Sequence, residues 1–142
     1  FVNFMTCSPS LLKLLGIRIS STVVEKTKSP EEKLFLAVLL QAFEDVSTLS
    51  GSKQESYLKK DAHDWILDNG KNFKNVCWCA GLDPDYVHDR YIKLVKNGSI
   101  KFTELQRSWV KYRKLYKDYR SANSSSERRE IMFKISEVNL KK

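Results

Sequence analysis

Cysteine, glycine and proline are scarce in this chain, at three, five and three of 142 residues, and each shortage excludes something. So little glycine and proline rules out a collagen-like or low-complexity chain. The cysteines, Cys7, Cys77 and Cys79, are odd in number, so no pairing satisfies all of them, and reduced thiols in a cytoplasmic setting are the expectation. Nothing approaches the roughly 20 apolar residues that a bilayer demands. The stretch from Leu11 to Ile19 is broken by Lys13, Gly16 and Arg18, so neither a membrane span nor a signal peptide is expected. A glycine-rich phosphate loop, a nucleophile elbow and an H-E-x-x-H pair are all missing. No enzyme activity, cofactor or small-molecule substrate is therefore expected.

What is present is the apolar content of one packed domain, 42% of residues, with 30% charged. The charge is unevenly placed. Residues 1–85 carry 10 Lys and Arg against 11 Asp and Glu, whereas residues 86–142 carry 15 against 6. The whole excess of +8 thus belongs to the C-terminal half, which attracts polyanions through a salt-screened field, with nucleic acid the usual candidate. The chain opens at Phe1 with its first methionine at Met5, and residues 1–28 are expected to be a poorly ordered segment.

From there the pattern is helical. Ser29-Pro30-Glu31-Glu32 reads as a capped helix start, and Leu34, Phe35, Val38, Leu39, Ala42 and Val46 follow as its apolar stripe. A second helix is expected over about 53–69, its stripe Leu58, Ala62, Trp65 and Ile66. Asn72 is expected to cap a short third helix that turns Phe73, Val76, Cys77 and Ala80 inward and stops at Gly81. Asp83-Pro84-Asp85 starts a fourth helix with Val87, Tyr91, Leu94 and Val95 on its buried face. A fifth runs from Thr103 to Ser121, a hinge is expected over 121–126, and Glu127 to Val138 forms a last helix on Ile131, Ile135 and Val138. The expected fold is all-α, a small bundle of five or six helices, with a helical domain over 29–121 and a hinge and basic C-terminal helix over 122–142.

Two features bear on function. The segment 73–95 places a short helix, Ala80-Gly81-Leu82-Asp83 and a second helix in sequence, with glycine where the turn needs a positive φ. This layout resembles the DNA-binding helix-turn-helix of small bacterial and phage-type regulators, apart from Arg90, which stands where an apolar residue belongs. The resemblance implies that the helix from Pro84 to Lys96 reads the major groove, with Tyr86, His88, Asp89, Arg90 and Lys93 facing outward. Tyr86, Arg90 and Lys93 are the expected reading residues, while Asp83, Asp85 and Asp89 oppose nearby phosphates.

In the second feature, Leu105, Trp109, Tyr112, Tyr116 and Tyr119 recur at spacings of 4, 3, 4 and 3, a heptad-like seam amid lysine and arginine. Arg107, Lys111, Arg113, Lys114 and Lys117 are expected to contact phosphate, beside rings read mainly as core. Both features point to a DNA-binding transcription regulator. The alternative is a protein-interaction module that docks on a partner, or pairs as a homodimer, through the seam 105–119.

No metal is expected. Cys77 and Cys79 with His63 and His88 invite a zinc reading, but residues two apart on a helix diverge by about 200°. Asp61, His63 and Asp64 are read as a solvated helix face.

Overall fold

The computed structural model describes residues 29–140, so the expectation for residues 1–28 lies outside the described residues. Six helices and no strand are found among them: α1 (Pro30–Ser47), α2 (Lys53–Asp68), α3 (Lys71–Cys79), α4 (Pro84–Lys96), α5 (Glu104–Ser121) and α6 (Ser125–Ser136). The fold is all-α, and no helix is long and apolar enough to cross a membrane among the described residues. The chain divides into two compact units. The first holds the described residues up to Thr48 with Asp61–Lys101, and the second holds Leu49–Lys60 with the chain from Phe102 onward.

The first unit is built on an apolar core in which α1 packs against α3 and α3 against α4. Ser29 caps α1, its Oγ accepting from Glu32 N at 3.2 Å, with Pro30 at the first helical position. The buried face of α1 is Leu36, Leu39, Leu40, Phe43 and Val46, while Leu34 and Val38, expected inside, are exposed. The run from Leu34 to Leu40 is apolar almost all round, so spacing alone admits more than one stripe, and the packing partners choose between them. Of the expected inward residues of the α3–α4 pair, Phe73, Val76, Cys77, Ala80, Val87, Tyr91 and Leu94 are buried and Val95 is half-buried. The Tyr91 ring meets Phe43 edge-on, centroids 5.7 Å apart, and its hydroxyl lies 2.6 Å from His63 Nδ1. His63 is therefore committed to a buried phenol and is not part of a solvated face. Burial raises the Tyr91 pKa, and the Asp64 carboxylate raises it further.

The turn between α3 and α4 follows from one residue. Gly81 takes φ 79°, so its N–H reaches Trp78 O at 3.0 Å and the N–H of Leu82 reaches Cys77 O at 2.9 Å. These two bonds satisfy carbonyls left over at the end of α3 and reverse the chain. Asp83 Oδ1 then accepts from Asp85 N at 3.0 Å to cap α4, whose first residue is Pro84. A Cβ at Gly81 would sit in the left-handed region, so Gly81→Ala is expected to cost about 1–2 kcal/mol in urea unfolding with the helical spectrum unchanged. Asn72 does not cap α3. Gly70 holds that position without a side-chain bond, and Asn72 Oδ1 instead accepts from Trp65 Nε1 at 2.9 Å.

In the second unit α6 packs on α5, with Ile135 buried. The expected hinge over 121–126 is shorter than the sequence suggests: Ser121 still belongs to α5, and Ser124 Oγ accepts from Glu127 N at 3.2 Å to cap α6. The first turns of α2 hold a further departure. Leu58, expected on the buried stripe, is exposed, and Ser56 and Lys59 are fully buried.

Candidate nucleic-acid interface

Lys59 and Gln106 organise the second unit. Thr103 caps α5 in a reciprocal box, its Oγ1 accepting from Gln106 N at 3.1 Å while Gln106 Oε1 accepts from Thr103 N at 2.9 Å. The same Oε1 accepts from Lys59 Nζ at 3.0 Å, and Gln106 Nε2 donates to Ser50 O at 3.0 Å. One fully buried amide thus ties the start of α5 to α2 and to the loop before it. The Lys59 ammonium also lies 4.8 Å from the centroid of the Phe102 ring. One turn along α5, Trp109 Nε1 donates to Gly51 O at 3.1 Å, a second tie to that loop.

Desolvation holds the Lys59 amine at about 8, well below its usual 10.5. Between these values the unfolded chain binds more protons than the folded one, so stability contributed at Lys59 rises with pH across that window. Wild type is expected to gain up to about 3 kcal/mol relative to Lys59→Met between pH 8 and 10.5. Comparing urea midpoints of the two proteins along that range isolates Lys59 from Cys77. Burial, reinforced by Asp83, pushes the Cys77 thiol up to about 12, and that group removes stability as pH climbs above 9.

From this anchored end a row of rings runs along α5. Tyr57 meets Trp109 edge-on at 6.5 Å, Trp109 meets Tyr112 at 5.6 Å, Tyr112 meets Tyr116 at 4.8 Å, and Tyr116 meets Tyr119 at 6.5 Å. All five are half-buried, so the expected seam is neither a sealed core nor a flat exposed patch. Lys53 Nζ lies 6.0, 5.9 and 5.9 Å from the Tyr57, Trp109 and Tyr112 centroids. The Arg113 guanidinium sits 4.6 Å from the Tyr57 ring centre. At such distances the ring faces hold the cations in place.

Lys53, Arg113, Lys117 and Arg120, with Tyr57, Tyr112 and Tyr116, line a groove of about 520 Å³ whose wall holds no carboxylate among the described residues. The Tyr116 phenol is raised above its usual value, chiefly by its hydrogen-bonding contact with Tyr112 and against the lowering effect of Lys53. Burial raises Tyr57 as well, against the lowering effect of Arg113.

The residues expected to bind nucleic acid are distributed over more than one surface. Arg113 and Lys117 reach the groove. At 100° per residue, Arg107, Lys111 and Lys114 leave α5 some 120–180° away from the ring row, on the far side of the helix. Tyr86, Arg90 and Lys93 belong to α4 in the first unit, where Tyr86 and Lys93 are exposed and Arg90 is half-buried. His88, expected to face outward, turns back, its Nε2 donating to Leu67 O at 3.1 Å. Asp85 and Asp89 are exposed on the same helix. Lys53, Tyr57 and Arg120 were not expected. Lys53 and Tyr57 lie some 50 residues before α5 in a segment without charge excess, and only the ring spacing on α5 hinted that a partner ring was needed. Cys77 is buried and Cys79 exposed, so the two thiols point apart.

No protein-family model, no curated protein and no solved structure matches the chain.

Proposed function

We propose that this chain is a nucleic-acid-binding protein of regulatory type that grips phosphate in the groove along α5. The observation that carries the reading is the groove wall, four cations and three tyrosines with no carboxylate among the described residues. Cations held against ring faces are pre-positioned, so less side-chain freedom is lost when a phosphate arrives. The net charge of +9 over residues 86–142 adds a field that draws a polyanion towards this half of the chain.

The α3–α4 pair remains the second candidate surface, on its resemblance to a helix-turn-helix. Tyr86 and Lys93 support that role, whereas Asp85 and Asp89 repel phosphate and His88 is engaged elsewhere. The groove is accordingly the better-supported site. The test is fluorescence anisotropy of the full chain with a labelled 12-nucleotide DNA, single-stranded and duplex, from low to physiological salt. Salt-sensitive binding that weakens in Lys53→Gln/Arg113→Gln supports the reading, and absence of binding to either form at low salt refutes it.

A further inference from the structure

Resting on that reading, we infer that the groove takes a single strand in preference to a duplex, with unpaired bases stacking on Tyr112 and Tyr116 while the backbone runs past Lys53 and Arg113. Three observations lead there. The rings and the cations line one groove, so a phosphate held by Lys53 or Arg113 brings its own base to a tyrosine. In a duplex the base faces are hidden by their neighbours, and only an unpaired base offers a face to a ring. Shape agrees with this. A duplex is read by a convex element that enters its groove, whereas this site is itself a groove, of about 520 Å³.

The length of the site follows from the helix. From Tyr112 to Arg120, the ends of the α5 side of the groove wall, the axis advances by roughly 12 Å at 1.5 Å per residue. That corresponds to about four nucleotides at the 3.4 Å spacing of a stacked strand. The phenol hydroxyls of Tyr112 and Tyr116 can each donate to or accept from a base edge. They impose no fixed pattern, so broad sequence tolerance is expected.

The experiment is anisotropy on the full chain with fluorescein-labelled dT12 and a 12-base-pair duplex at the same salt, with sodium polyphosphate as competitor. The expected result is at least tenfold tighter binding of dT12. Tyr112→Leu/Tyr116→Leu should weaken dT12 roughly tenfold without altering its salt slope. Tyr112→Phe/Tyr116→Phe, which keeps the ring faces, should retain most of the affinity, and circular dichroism checks that each variant is folded. Equal binding of duplex and dT12 with no effect of the leucine variants would overturn the inference and leave a phosphate-only groove, as would displacement of dT12 by polyphosphate at equal phosphate concentration. Failure of both DNAs to bind would overturn this inference together with the reading on which it rests.

Discussion

Replacing Gln106 by leucine is expected to destabilise the protein by about 3–4 kcal/mol, the largest stability effect of any single substitution proposed here. The side chain is fully buried and hydrogen-bonds to Lys59 Nζ, Thr103 N and Ser50 O. Leucine fills similar space but removes an acceptor from a buried ammonium, a donor from a carbonyl and half of the α5 capping box. The ammonium dominates, because a buried charge that loses an acceptor costs more than a neutral group that does. Lys59→Met by contrast removes the charge itself and is expected to be close to neutral. The double variant Lys59→Met/Gln106→Leu should recover a good part of the loss, giving a coupling of at least about 1.5 kcal/mol in a double-mutant cycle of urea unfolding. Additive losses would mean that the Lys59–Gln106 bond does not carry the energy assigned to it.

The second large effect concerns binding. If each of the four groove cations neutralises one phosphate of a single strand, the slope of log K against log salt should be about −3. Affinity should then fall roughly fiftyfold between 50 and 200 mM salt. Lys53→Gln/Arg113→Gln removes two of those contacts while keeping both stems against the rings, so the slope should drop by about 1.4 and binding at 150 mM salt should weaken at least tenfold. Lys111→Gln/Lys114→Gln, on the far side of α5, removes the same charge from the field without touching the groove. Its effect should be a small loss with the slope nearly unchanged. Equal effects of the two pairs in a salt titration would locate the binding energy in net charge, not in the groove.

The two sets of residues differ in how readable they were. The α3 and α4 faces were legible because local chemistry decided them: Gly81, Asp83 and Pro84 set the turn, and apolar residues at three- and four-residue spacing had one possible stripe. In α1 nearly continuous apolar sequence offered more than one stripe, and the choice of Leu36 and Leu40 over Leu34 and Val38 depends on what packs against it. Buried Lys59 was illegible for a different reason. A lysine goes inside only when an acceptor waits for it, and Gln106 lies 47 residues away.

The groove was half visible. The α5 ring spacing and the positions of Arg113 and Lys117 were in plain sequence, but periodicity cannot tell a core seam from a groove wall. Lys53 and Tyr57, which complete the wall, come from α2 and carry no pattern that links them to α5. The lysine and arginine count likewise grouped residues that the helix separates, since Arg107, Lys111 and Lys114 point away from the rings.

The most direct test of the groove as the nucleic-acid site is photo-crosslinking of the full chain to a 12-nucleotide single strand carrying 5-iodouracil, with the modified residues identified by mass spectrometry. Adducts on Tyr112, Tyr116 or Tyr57 are the predicted result. Adducts confined to Tyr86 and its neighbours on α4 would contradict the account and return the interface to the helix-turn-helix surface.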